Sequence, residues 1–273
     1  MVKTEAPKAW IINIGNEILI GRTLNTNSQW LAKKLTFLGF RVERIIVIPD
    51  SIYDISEEVA RGLSRAKVII TTGGLGPTYD DITLDGIAEA LGVPKEVNPE
   101  ALAMVKRFYE AMGERLTEHR VKMAIMPRGC KPLRNPVGAA PGCLITIDGG
   151  RRMIVSLPGV PREMEAMFES EVEPILMEIA PPLALAEERI VSIGVPESSI
   201  APILDNAAKL SPNVYVKSHP EGHEARGPKV RIVVLASAAS RDEAKREAKR
   251  ILGHIIEGLR RLGAEIIAEK GNS

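Results

Sequence analysis

Short apolar runs alternate with amphipathic stretches at the start of this chain, and that alternation leaves few folds open. Residues 10–14 are an apolar run that stops at Gly15, and Leu31, Leu35 and Leu38 follow at helical spacing until Gly39. Residues 44–48 are the next run, and Ile52, Ile55, Val59 and Leu63 form a second helical stripe. Residues 67–72 are a third run that leads straight into Gly73 and Gly74. Continuous apolar strands separated by helices predict an α/β fold with a parallel sheet covered by helices. Ligands on such sheets bind outside the carboxyl ends of the strands. Glu17, Asp50 and the glycine segment therefore emerge at one edge.

Asn98 before Pro99 is a helix start, with a capping side chain and proline at the first helical position. Residues 143–147 and 152–157 flank Asp148-Gly149-Gly150 and predict a hairpin. Pro161 opens a helix with the stripe Met164, Phe168, Val172 and Ile175. Residues 180–184, rich in proline and alanine, are a linker candidate that separates a domain of residues 1–180 from one of 185–273. Beyond the linker the expected order is strand 189–193, helix 197–210, strands 214–217 and 230–235, a long helix from Ser240, and a short strand 265–268. Ser240 and Glu243 form a capping box, and Ala244, Ala248, Ile251, Ile255, Leu259 and Leu262 give the long helix its apolar stripe. This second domain is a small α+β unit.

Thirty-six basic against 35 acidic residues give a formal charge of +1, so no general attraction to nucleic acid is expected. No apolar run is long enough to span a membrane, and the N-terminus has no signal core; a cytoplasmic protein is expected. Gln29 is the only glutamine while charged residues reach 26%, a balance that points to a thermophilic source. Cys130 and Cys143 are the two cysteines. Free thiols are the expectation in a reducing cytosol, and a Cys130–Cys143 bridge stays open for a thermophile. His219 and His223 lie in a Pro/Gly-rich segment that reads as a solvated loop, and no Ser-His-Asp set or cysteine nucleophile stands out.

The chemistry concentrates in residues 73–81, Gly-Gly-Leu-Gly-Pro-Thr-Tyr-Asp-Asp. Gly73, Gly74 and Gly76 let backbone amides face an anion closely, and a helix beginning near Thr83 aims its dipole at the same place. Asp80 and Asp81 beside a phosphate site make sense with a divalent cation between the charges. The alternative is a turn followed by a helix cap. Asp50 is either a carboxylate of the site or the cap of the following helix; Glu17 is either a site residue or a first-turn carboxylate. Residues 135–142 are a small, rigid loop, and residues 156–164 link a strand to a helix at the same edge; both also read as plain turn chemistry.

Residues 72–78 with Asp80-Asp81-Ile82-Thr83 resemble the signature of the CinA family (competence/damage-inducible protein A). Residues 15–21, Thr26-Asn27, residues 135–142 and 157–164 match that family in the same order. The resemblance implies a three-layer αβα, molybdopterin-binding-like first domain with a mostly parallel sheet, then a KH-like α+β domain. It implies metal-dependent hydrolysis of ADP-ribose to AMP and ribose 5-phosphate, with Mg²⁺ or Co²⁺ as cofactor. Catalytic roles fall on Asp81, Asp50 and Asp80, and metal binding on Asp81 and Asp80. Ligand contacts fall on Gly73, Gly74, Leu75, Gly76, Pro77, Thr78 and Thr83 of the glycine segment, with amides 74–78 holding the diphosphate. Others fall on Glu17, Asn27, Asn135, Gly138, Ala140, Pro141, Gly142, Pro158, Gly159 and Glu163. The ligand would be a small nucleotide or, in an alternative reading, a pterin handled by a molybdopterin-binding or adenylyltransferase-type protein; a non-catalytic ligand-binding adaptor is a third reading. Asn16 stands where bacterial members usually have Asp, and the C-terminal domain that deamidates nicotinamide mononucleotide in many of them is expected to be absent. The second domain lacks the G-x-x-G loop of nucleic-acid-binding KH domains, so the expected partners are a second copy of the chain, as a homodimer, and no RNA or DNA.

Overall fold

The computed structural model describes residues 6–181, 184–224 and 227–269. They form two compact units whose boundary falls between Pro181 and Pro182.

The first unit opens with β1 (Lys8–Ile14), the short α1 (Asn16–Leu19), α2 (Thr26–Phe37), β2 (Arg41–Ile48), α3 (Ile52–Leu63) and β3 (Val68–Thr72). Then come α4 (Thr83–Leu91), β4 (Lys95–Val97), α5 (Pro99–Ala111), α6 (Glu118–Lys122), β5 (Ile125–Pro127) and β6 (Lys131–Leu133). The antiparallel pair β7 (Gly142–Ile147) and β8 (Arg152–Leu157) leads into α7 (Pro161–Met167), a π-helical turn (Phe168–Val172) and α8 (Glu173–Ile179). The six-stranded sheet runs β2-β1-β3-β8-β7-β6. Its first four strands are parallel, and β7 and β6 alternate in direction beyond them.

Strand alternation assigns the two faces. Trp10, Ile12, Ile14 and Ile69 point to one side and pack with Ile55 and Val59 of α3, Ile87 of α4 and Val105 of α5. Ile11 and Ile70, on the other side, are equally buried. There Trp30 of α2 meets Phe168 edge-on at 5.3 Å, and Lys34 bridges to Glu169 at 2.8 Å. The result is a helix–sheet–helix sandwich with a mostly parallel sheet.

The apolar stripe after Pro161 departs from the expected one. Met164, Phe168 and Val172 are buried, but Leu176 is buried next and Ile175 only half so. The π-helical turn inserts extra backbone and advances the stripe by a residue, which a constant 3.6-residue period cannot foresee.

Cys130 and Cys143 are joined as a disulfide, so the expectation of free thiols does not hold. The two residues flank β6 and the start of β7, and strand pairing holds them close: Pro132 lies opposite Cys143. With a separation of 13 residues, loop closure assigns the bridge about 3 kcal/mol. Reduction by dithiothreitol should lower the melting temperature by several degrees, measured against the Cys130→Ala/Cys143→Ala double variant, which should melt with the reduced protein and ignore the reductant.

The second unit comprises β9 (Ala184–Ile193), α9 (Glu197–Lys209), β10 (Val214–Glu224), β11 (Gly227–Ala238), α10 (Arg241–Arg261) and β12 (Glu265–Glu269). Its antiparallel sheet is ordered β10-β11-β9-β12. Val230, Ile232, Val234 and Ala236 of β11 face Ile251, Ile255 and Leu259 of α10 and Ile200 of α9. The β10–β11 hairpin is longer than the sequence pattern suggests, because main-chain pairing continues past the apolar residues. His219 is therefore an exposed strand residue, not part of a loop; the side chain of His223, like Pro182 and Leu183 of the linker, lies outside the described residues.

Ser240 caps α10 by accepting the Glu243 amide at 3.3 Å. Farther along, Arg250 donates twice to Glu247 at 2.8 Å. Those bonds, with help from Ser211, pull the Glu247 carboxyl down to about 2. A depressed carboxyl stabilises the fold above its ordinary value of 4.5, and that contribution fades as pH falls through about 2. The pair is largely solvated, so its worth is below about 1 kcal/mol. In thermal melts, Glu247→Gln should be slightly less stable than the parent at neutral pH, with the gap closing as the solution is acidified; a gap that widened in acid would contradict this assignment.

Candidate functional site

Because β1, β2, β3 and β8 are parallel, the segments after them meet at one sheet edge. There they enclose a cleft of about 430 Å³, within the range typical of small-molecule sites.

The glycine segment forms the floor. Gly73 donates to Leu157 O at 3.1 Å, and Thr83, first residue of α4, donates from its amide to Gly74 O and from its hydroxyl to Gly73 O. Gly73 and Gly74 have φ of 106° and 64°, which glycine adopts freely. A β-carbon on Gly73 would stand 2.2 Å from Ile14 O, and one on Gly74 would stand 2.3 Å from the Thr83 hydroxyl. Thr83 is fully buried, so it shapes the loop and does not line the cleft. The amides of Gly74, Leu75 and Gly76 have no acceptor among the described residues. Thr78 differs from expectation: its amide already donates to Asp81 Oδ2 at 2.8 Å. Pro77 has no N–H, so three donors remain of the stretch 74–78.

Asp80 and Asp81 flank the Thr78 side chain. Thr78 Oγ1 lies within hydrogen-bond reach of Asp80 Oδ1 and, at 2.6 Å, of Asp81 Oδ2. A hydroxyl carries one proton and can serve only one of these carboxylates. The trio is thus short of positive charge. The Thr78 hydroxyl, the Asp80 backbone N–H and the Lys122 ammonium together hold the Asp80 carboxyl below the usual carboxylate range. Lys122, at the end of α6, reaches over to the Thr78 carbonyl. Nothing in its local sequence marks it; only the tertiary fold brings it here.

Asp50 lines the cleft and accepts the Asn16 amide at 2.9 Å. Ser51, not Asp50, caps α3, by accepting the Asp54 amide. Glu17 lies in the first turn of α1, lines the cleft, and folds its carboxylate back over Gly15. Pro158, Gly159, Ala140 and Glu163 complete the expected wall. Tyr109 and Met123 also line it and were not legible from sequence. Glu17, Asp50, Asp80, Asp81 and Glu163 supply carboxylates, and among the described residues no Lys, Arg or His lines the cleft.

Other expected ligand residues act one step away. The Asn27 amide nitrogen donates to Thr72 Oγ1 at 2.9 Å and to Gly159 O at 2.8 Å, tying β3 to the loop after β8. Asn135 accepts the amides of Val137 and Gly138, and donates to Ala140 O and to Glu163 Oε2. It therefore shapes residues 135–140 and pins them to α7. Gly138 and Pro141 line a neighbouring cavity. Gly142 is buried in β7, where a β-carbon would meet Met167 and Ser156 O at 2.7 Å. It packs closely there and lines neither the cleft nor the neighbouring cavity.

A divalent cation suits this donor set. Among the described residues no three or more His, Cys, Asp or Glu side chains form a closed cage. Mg²⁺ commonly takes one or two carboxylates and completes its shell with waters and ligand phosphates, and Asp80 and Asp81 offer such a pair.

The family described as probable molybdopterin binding domain matches residues 10–178. The chain belongs to the molybdopterin-binding domain family. Among its relatives is a protein of Aeropyrum pernix, 56% identical over 265 residues, covering 97% of this chain and 98% of that one. A protein of Pyrobaculum aerophilum is 51% identical over 249 residues, covering 91% and 93%. Among solved structures, the protein CinA with unknown function from Thermoplasma acidophilum is 40% identical, with a TM-score of 0.58, covering 62% of this chain and 98% of that one. This molybdopterin-binding family member is thus CinA-like. Among its described residues no helix is long and apolar enough to cross a membrane.

Proposed function

We propose that the protein is a metal-dependent nucleotide pyrophosphatase that hydrolyses ADP-ribose to AMP and ribose 5-phosphate. The observation that carries this reading is the proton-poor trio of Thr78, Asp80 and Asp81 beside the free amides of residues 74–76. The amides and the N-terminus of α4 receive the diphosphate. Asp80 and Asp81 would hold Mg²⁺ or Co²⁺, which supplies neutralising charge at the phosphates. Asp50, fixed by the Asn16 amide, takes the proton of the attacking water. The new bond forms from water oxygen to phosphorus, and the phosphoanhydride P–O bond breaks. Incubation with ADP-ribose and either metal should release AMP; no release at elevated temperature overturns the reading.

The family match favours a second reading, in which the cleft holds molybdopterin or a related pterin for binding or adenylylation. Ligand copurified with the protein separates the two: a fluorescent pterin supports this reading, an adenine nucleotide the first. A non-catalytic adaptor would show no rise in melting temperature with any nucleotide, whereas a true ligand at 100 times its Kd adds about 2.7 kcal/mol. The second unit, ordered β-α-β-β-α-β, we read as KH-like, and we assign it to self-association as a homodimer, not to nucleic acid. Light scattering should give twice the chain mass, and single-stranded RNA should show no saturable binding at about 0.15 M salt.

A further inference from the structure

A second cavity, of about 320 Å³, lies behind the loop that walls the main cleft. Ala139 lines both, so the two cavities adjoin at this residue. A β-carbon on Gly138 would stand 2.2 Å from Glu163 Oε2, so any larger residue there would push into the wall carboxylate. The two cavities have opposite chemistry. Among the described lining residues, the main cleft has acids and no base, its nearest cation being Lys122 on the Thr78 carbonyl, while the second has Arg107 and Arg134 and no acid. Met104, Arg107 and Phe108 share one face of α5 at positions i, i+3 and i+4. Arg107 commits only Nε, to Ala103 O at 3.2 Å, and Arg134 has no hydrogen-bond or ion-pair partner among the described residues. Phe108 is braced edge-on by Tyr109 at 5.4 Å between ring centres.

We infer that this second cavity seats a flat aromatic heterocycle, a purine or a pterin, belonging to a ligand whose phosphates lie in the main cleft. Guanidinium planes and a braced phenyl ring are stacking surfaces for an electron-rich ring. A second phosphate fits less well. Asn135 spends its side-chain amide on its own loop and Glu163, so the arginines on their flexible stems would be left to hold the charge. The inference rests on the phosphate-binding reading of the main cleft, and it explains how one site could handle either adenine or pterin compounds.

Calorimetric titration of the full chain with Mg²⁺ tests it, using three probes that share linked phosphates: pyrophosphate, ADP and neopterin triphosphate. At least one ring-bearing probe should bind about tenfold or more tighter than pyrophosphate. Two variants, Phe108→Ala and the exposed pair Arg107→Ala/Arg134→Ala, should each remove most of that advantage and leave pyrophosphate affinity unchanged. The probe that loses affinity identifies the ring. Equal binding of all three probes to the parent protein, or an advantage that survives in both variants, overturns the subsite while the main cleft keeps its assignment. Failure of pyrophosphate to bind the parent protein at millimolar concentration overturns the phosphate reading, and the subsite falls with it.

Discussion

Asp81→Asn is expected to slow AMP release from ADP-ribose a hundredfold or more, with the melting temperature within about 2 °C of the parent. The substitution keeps the shape and an acceptor oxygen, so the Thr78 amide bond at 2.8 Å can persist and the turn can stay closed. What it removes is charge, at the one carboxylate that touches both the Thr78 amide and hydroxyl. If charge at this point matters to the diphosphate, the loss appears in kcat; if Asp81 only closes the turn, turnover survives. Retention of more than half the parent rate would sink the assigned role. Asp80→Asn should be milder, since Asp80 is exposed whereas Asp81 is half-buried.

Gly73→Ala should be the most damaging single methyl in the molecule, costing about 4 kcal/mol or more. Two independent penalties add at this residue. Its φ of 106° lies where side-chain-bearing residues rarely go, and the new methyl would sit 2.2 Å from Ile14 O. That oxygen belongs to Ile14, the last residue of the central strand β1, which is held in register opposite Ile48 of β2. Gly92 provides the control. It also has positive φ, 64°, yet nothing lies within 4 Å of its would-be β-carbon, so Gly92→Ala should cost only about 1 kcal/mol. Denaturant titration of both variants checks the contrast; equal losses would show that strain alone, without the strand contact, governs Gly73.

The parallel sheet and its ligand edge were legible because β1 and β3 are buried on both faces and read as near-continuous apolar runs, while β2, half-exposed at the sheet edge, still carries the run Ile45-Ile46-Val47-Ile48. The short strands β4, β5 and β6 were not, since three-residue segments such as Lys95–Val97 are too brief to show a period. The π-helical turn was hidden for a related reason: its sequence, Phe-Glu-Ser-Glu-Val, is an ordinary helical pattern. In the site, the glycines and aspartates declared themselves by type and spacing. Tyr109, Met123 and Lys122 did not, because they arrive from α5 and α6 through the tertiary fold. Sequence also could not separate residues that face the cleft from those that brace it. Asn27, Asn135 and Thr83 belong to motif segments, yet most of their polar atoms are turned to the protein's own backbone.

The disulfide closes a covalent ring around the loop that divides the two cavities. Cys130 and Cys143 bracket all of residues 131–142, including Pro136 and the exposed Val137 at the loop's tip. Such tips are where proteases first cut a folded chain. A cut here opens the ring without parting the polypeptide: the nicked molecule keeps its full mass on a non-reducing gel and falls into two pieces only when reductant is added. One covalent bond thereby lets this loop be severed while its ends stay tethered to the same two strands.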